Sequence, residues 1–266
     1  MSIIETKKLT RVFNEYAAVN GLDFNIEARE TFALLGTNGA GKSTVIKMLT
    51  TLLPPTSGEA YIGGFHLVKE SEKIRRIIGY VPQMLSVDGS MTGIEHLMLF
   101  AKLYDIPSKE CKPRVMELLD FMGLTADAKK PVRTYSGGMT RKLEIAQSIL
   151  HRPSVLFLDE PTVGLDPVAR KAVWDHIIQL REQYKTTILL TTHLMDEADG
   201  LCNRIAFMSH GKLVSSGTPQ ELKDSIHKEG STLEDVFIHY TADLPPQETA
   251  STERSDIHNV SKPTAL

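Results

Sequence analysis

The stretch Gly36-Thr37-Asn38-Gly39-Ala40-Gly41-Lys42-Ser43-Thr44 constrains the fold of this chain more than any other. It matches the spacing G-x-x-x-x-G-K-[ST], in which glycines let backbone N–H groups turn inward and converge on phosphate oxygens. The context that the spacing requires is present. The apolar run Thr31–Leu35 precedes it and reads as a buried parallel strand, and residues 42–53 come next as a helix stopped by Pro54 and Pro55. That helix would aim its positive N-terminal end at the same phosphates. Lys42 supplies a point charge for the β- and γ-phosphates, and the Ser43 hydroxyl can ligate Mg²⁺.

A second constraint is Val155-Leu156-Phe157-Leu158-Asp159-Glu160, an apolar strand that ends in two acids. Carboxylates at the carboxyl end of a buried strand sit in the crevice where α/β sheets bind ligands. Asp159 suits Mg²⁺, directly or through water. Glu160 is placed to polarise the attacking water or accept its proton. An acidic turn after a core strand means little alone; beside a phosphate loop it reads as part of one site.

The rest of the chain alternates strand and helix patterns. Residues 9–13 and 21–26 read as strands near the N-terminus, and 77–81, 187–191 and 204–208 as further buried strands. Residues 92–104 and 113–122 have helical spacing and lie within a helical insertion over about 88–150. Residues 137–150, 168–183 and 194–199 are helices leading into or out of strands. The expected class is α/β with a mainly parallel sheet and helices on its faces. No run approaches the roughly 20 apolar residues that span a bilayer, so any membrane role would need a separate subunit. The net charge of −3 gives no overall field for nucleic acid. Cys111 and Cys202 form no motif and read as reduced thiols. Residues 241–266, rich in Pro, Thr, Ser and charge, read as a disordered tail behind a folded 1–240.

At Tyr135-Ser136-Gly137-Gly138-Met139 the chain resembles the signature of the ATP-binding cassette (ABC) family. A Ser-Gly-Gly turn opening a helix is another phosphate-binding terminus. The resemblance implies a P-loop NTPase fold with a parallel core sheet, an N-terminal antiparallel β region and the helical insertion. It also implies that each ATP lies between the phosphate loop of one protomer and the signature, Ser136 and Gly138, of another. Gln83 in Gly79-Tyr80-Val81-Pro82-Gln83 matches the family's glutamine loop, which touches metal and water and contacts the membrane partner. His193 after Thr191-Thr192 matches the switch histidine at the γ-phosphate, and Asp166 in Gly164-Leu165-Asp166 the loop that communicates across the dimer. Phe13 aligns with the aromatic that stacks on adenine; Tyr16 is its rival, and Val19 can add an apolar contact.

Thr37 stands where a proline is frequent, and Tyr135 and Met139 replace the commoner Leu and Gln of the signature. Tyr135 and Met139, with Thr162-Val163-Gly164-Leu165-Asp166-Pro167 and the late Ser231-Thr232-Leu233-Glu234-Asp235-Val236-Phe237, resemble the drug- and antibiotic-export subgroup (ABC-2 type, daunorubicin-resistance-like). The implied function is ATP hydrolysis, with ATP and Mg²⁺ as cofactors, driving export through a separate polytopic membrane subunit at the cytoplasmic face of the cell membrane. Two cassettes would pair as a homodimer or pseudo-dimer, without nucleic acid. The exposed-looking Met84, Leu85, Val87 and Met91 after Gln83 mark the expected docking segment. The competing class, a soluble cassette ATPase acting on DNA or ribosomes, usually carries a coiled-coil insertion, a second cassette or strongly basic surfaces. A small-molecule kinase would explain neither the Ser-Gly-Gly turn nor Glu160 beside Asp159.

Overall fold

The computed structural model describes residues 2–228 and 230–242. An antiparallel sheet is formed by β1 (Ser2–Phe13), β2 (Tyr16–Glu27), β4 (Ser57–Ile62) and β5 (Phe65–His66), in the order β2-β1-β4-β5. The central sheet contains β3 (Thr31–Leu35), β6 (Ile78–Val81), β7 (Val155–Asp159), β8 (Thr187–Thr192), β9 (Arg204–Ser209) and β10 (Lys212–Gly217), in the order β10-β9-β3-β8-β7-β6. All its pairings are parallel except β10 on β9. The helices are α1 (Lys42–Leu49), α2 (Ser71–Ile77), α3 (Gly93–Leu103), α4 (Ser108–Phe121), α5 (Gly137–Ile149), α6 (Pro167–Tyr184), α7 (Met195–Leu201), α8 (Pro219–Asp224) and α9 (Leu233–Thr241).

Every residue of β3, β7 and β8 is buried, which is why these strands read as unbroken apolar runs rather than alternating ones. Successive side chains nevertheless enter different cores. Val155 and Phe157 join Phe32, Val45 and Met208 under the antiparallel sheet and α1. Leu156 and Leu158 join Leu97, Leu118, Leu143 and Phe207 under the helical insertion. The central sheet is thus a wall shared by two cores, and its strand ends carry the loops that matter.

Local capping explains the helix starts. Thr92 and Glu95 form a reciprocal capping box on α3, Ser136 caps α5, and Asp166 caps α6 with Pro167 in the first turn. Several expected boundaries moved. β1 and β2 are longer than residues 9–13 and 21–26, because register shifts between Thr6 and Arg11 break the alternation that marks a strand. The first helix stops at Leu49, before the two prolines, where Thr51 takes φ +63°. The helix expected to begin at Pro113 begins at Ser108 and carries Pro113 inside it. One ladder hydrogen bond is given up there, yet Cys111, Val115, Leu118 and Leu119 bury one face and hold the helix. The expected tail falls almost wholly outside the described residues.

Candidate functional site

The phosphate loop joins β3 to α1. Gly39 and Gly41 have φ of +84° and +103°, and a Cβ on Gly41 would lie 2.3 Å from the Ala18 carbonyl oxygen. Only glycine meets both demands at Gly41. Lys42 opens α1 and is 4% exposed. Its Nζ donates to the carbonyls of Gly36 (2.8 Å) and Thr37 (3.0 Å) and lies 3.5 Å from Glu160 Oε1. Burial lowers its pKa, opposed by the charges of Glu160 and Asp159. The ammonium is therefore aimed across the loop, at a point where anionic oxygens would relieve its desolvation.

Ser43 Oγ donates to Asp159 Oδ1 at 2.9 Å, and Thr191 Oγ1 donates to the same oxygen at 2.6 Å. Asp159 and Thr191 face each other in the β7–β8 register, so the hydroxyl orients the carboxylate from the neighbouring strand. Glu160 comes next with φ +48°, a strained backbone for a non-glycine residue. The same Thr191 hydroxyl accepts the Glu160 N–H at 3.1 Å and so helps hold that turn. Glu160 Oε2 accepts from Gln83 Nε2 at 3.0 Å, and Oε1 lies 3.3 Å from His193 Nδ1. One carboxylate, 5% exposed, thereby gathers residues from α1, the loop after β6 and the end of β8.

A cleft of about 360 Å³ opens over this cluster, lined by Tyr16, Asn38, Lys42, Ser43, Gln83 and Glu160 among others. A larger open groove of about 1150 Å³ lies over the antiparallel sheet beside Lys7, Lys8 and Lys212. No reactive cluster converges there, so the smaller cleft is the candidate site. Ser43 and Asp159 offer hard oxygens close together, which suits Mg²⁺; among the described residues no group of three or more His, Cys, Asp or Glu could hold a metal alone. An ion with few protein ligands, completed by phosphate and water, fits that donor set.

Not every expected residue reaches the cleft. Ala40 is buried, with its carbonyl accepting from the Gly211 N–H. Phe13 is 41% exposed, with the Arg11 guanidinium 4.6 Å from its ring centroid, and does not line the cleft; Tyr16 does. The two are direct cross-strand partners, so both rings leave the hairpin on one face. Val19 is wholly buried in the core. Ser136, Gly138 and Asp166 lie apart from the cleft as helix-terminus residues: Ser136 Oγ accepts from the Met139 N–H, and Asp166 Oδ1 from the N–H groups of Val168 and Ala169. A Cβ on Gly138 would meet Ala169 Cβ at 2.9 Å, so this glycine is needed for close helix packing within the chain. Tyr135 donates to the Asp127 carbonyl at 2.8 Å, and a Cβ on Gly93 would approach its hydroxyl to 2.4 Å. The tyrosine and the glycine are fitted to each other.

Residues 19–163 match the family model described as ABC transporter. The chain belongs to the ABC transporter family. It is 43% identical over 270 residues to a daunorubicin/doxorubicin resistance ATP-binding protein of Streptomyces peucetius, covering 99% of this chain and 79% of that one. It is 37% identical over 220 residues to a linearmycin resistance ATP-binding protein of Bacillus subtilis, covering 83% and 70%. Among solved structures it superposes with a TM-score of 0.72 on a dimeric ATP-binding cassette in a post-hydrolysis state bound to ADP and Pi, at 26% identity, covering 81% of this chain and 98% of that one. The expected P-loop NTPase fold with its parallel core sheet, antiparallel region and helical insertion is the one observed, and the chain is an ABC-type ATP hydrolase.

Proposed function

We propose that this chain is the ATP-hydrolysing subunit of an exporter whose transport path lies in a separate polytopic membrane subunit. No helix among the described residues is long and apolar enough to cross a membrane. The names of the relatives, resistance proteins against daunorubicin, doxorubicin and linearmycin, support a small-molecule export role. The observation that carries the catalytic reading is Glu160, held within 3.5 Å of Lys42, Gln83 and His193 at once.

In this reading the inward N–H groups of residues 36–44 and Lys42 bind the β- and γ-phosphates, and Lys42 exchanges the Gly36 and Thr37 carbonyls for phosphate oxygens. Glu160 orients the attacking water and takes its proton, His193 contacts the γ-phosphate, and Gln83 senses whether it is present. Ser43, Gln83 and Asp159 would hold Mg²⁺, which supplies charge neutralisation on the transferring phosphoryl group. The Phe13 and Tyr16 rings form an aromatic wall for adenine. Ser136, Gly138 and Asp166 complete the site of a second cassette across a dimer, consistent with their distance from their own cleft.

The docking segment begins directly after Gln83. Met84 is 82% and Leu85 53% exposed, which supports their role as contacts at the cytoplasmic face of the membrane. Val87 packs against the core of the helical insertion and is a structural residue, contrary to its expected exposure. Leu85→Glu should abolish co-purification with the membrane subunit while nucleotide binding persists. Unaffected co-purification and transport would rule the segment out as the interface.

A further inference from the structure

On α5, one turn beyond the Ser-Gly-Gly start, stand two charged residues that are almost entirely buried: Arg141 and Glu144, each 3% exposed. Their heads meet at 2.9 Å. Their other hydrogen bonds run to a single segment. Arg141 Nη1 donates to the Pro82 carbonyl at 2.7 Å and Nη2 to the Gln83 carbonyl at 2.8 Å. Glu144 Oε1 accepts from the Ser86 N–H at 2.6 Å and from its hydroxyl at 3.1 Å. The pair thus grips the backbone on both sides of Met84 and Leu85. Burial raises the Glu144 pKa and lowers that of Arg141, so neither charge is at ease without the other.

A buried ion pair is weak evidence for stability, since well-packed apolar residues of similar volume often serve as well. What the ionic pair does here is directional. A guanidinium fork donates to two successive carbonyls only in one orientation of the chain, and those carbonyls belong to Pro82 and to Gln83, whose amide donates to Glu160.

We infer that Arg141 and Glu144 are positioning residues that clamp the glutamine loop to α5, so that Gln83 and the Ser136–Gly138 helix start move as one body. A shift of α5 is thereby delivered to the Gln83 amide, and a pull on the exposed Met84–Leu85 tip is delivered to α5. The inference rests on the proposed role of Gln83 in catalysis.

The test uses the full chain and these variants: Glu144→Gln, the apolar pair Arg141→Met/Glu144→Leu, Gln83→Ala, and the last combined with each clamp variant. The apolar pair leaves no lone buried charge and keeps the experiment decisive if Glu144→Gln fails to fold. Hydrogen exchange of the Ser86 amide should accelerate at least about tenfold in the clamp variants while amides of β7 and α1 stay unchanged. Steady-state ATPase should show kcat reduced about tenfold or more with KM for ATP nearly constant, and no further reduction when Gln83→Ala is added. Protection of Ser86 that survives loss of the pair, or kcat losses that multiply with Gln83→Ala, would overturn the clamp. If Gln83→Ala itself leaves kcat unchanged, the role of Gln83 fails instead, and the exchange result alone decides whether the loop is held by α5.

Discussion

Lys42 Nζ stands 3.5 Å from Glu160 Oε1, with both side chains removed from solvent. The cation that reads as the phosphate ligand thus also touches the proposed base. Replacing it perturbs binding and chemistry together. Lys42→Ala should weaken ATP by about tenfold to a hundredfold, the scale of one lost charge-assisted hydrogen bond of about 1.5–3 kcal/mol. Calorimetric titration with Mg-ATP checks this, and parental affinity together with parental turnover would remove Lys42 from the site.

Glu160→Gln keeps the shape of the carboxylate beside Lys42, Gln83 and His193 but loses its basicity. ATP binding should persist while kcat falls by about two to four orders of magnitude. Single-turnover hydrolysis in the purified variant gives the answer; turnover at the parental rate means another group takes the proton.

Phe13 and Tyr16 face each other across the hairpin turn. Loss of either ring should weaken adenine nucleotides by about 1 kcal/mol or more, the scale of base–aromatic stacking, and leave binding of inorganic tripolyphosphate unchanged. Equal nucleotide affinity in Phe13→Ala, Tyr16→Ala and the parent would place the adenine elsewhere.

The trans arrangement is best probed at Ser136. A side chain at Gly138 would strike Ala169 of its own chain, which confuses the reading of any substitution there. Ser136→Asp preserves a good helix cap but sets a carboxylate against the γ-phosphate of the opposing cassette. The variant should melt within a few degrees of the parent and lose ATPase activity by roughly a hundredfold, the scale of a few kcal/mol of misplaced charge. Activity should return in part when it is mixed with Lys42→Ala chains, because mixed pairs place both lesions in one site. Parental activity of Ser136→Asp alone would contradict the arrangement.

Glu197 is fully buried on α7, with Oε1 accepting from Thr162 Oγ1 and Trp174 Nε1, and burial raises its pKa above the ordinary 4.5. Between the ordinary and the raised value the native state therefore holds a proton that the unfolded chain has released. Stability from this group is complete below about pH 4.5 and is lost as pH rises through the raised value. Glu197→Gln should flatten the decline of Tm with rising pH; an unchanged slope would show that the carboxyl titrates normally.

Legibility followed chemistry and burial. The unbroken apolar runs of β3, β7 and β8 announced themselves, as did the residues whose spacing is dictated by phosphate: Gly36 to Thr44, Asp159 and Glu160. β4, α2 and β10 escape a sequence reading because polar residues fill their exposed positions. The helix at Ser108 is hidden because Pro113 reads as a start and not as an interior residue. Thr191 gives no signal, since its bond to Asp159 exists only through the strand register. Arg141 and Glu144 are silent for a similar reason: charges on a helix are usually solvated, and only the fold shows which ones face inward. The Tyr135 departure, in contrast, is visible as a substitution, while its cause, the space left by Gly93, is not.

The apolar cluster that runs from Leu97 and Leu118 through Leu143 to Leu156 and Phe207 crosses from the helical insertion into the sheet without a break. The insertion consequently has no interior of its own. For the engineering of chimeras this sets a rule of inheritance: a foreign insertion must arrive with the matching face of Val81, Leu156 and Leu158, or the graft will leave a seam of mismatched volumes directly behind the strand that presents Asp159.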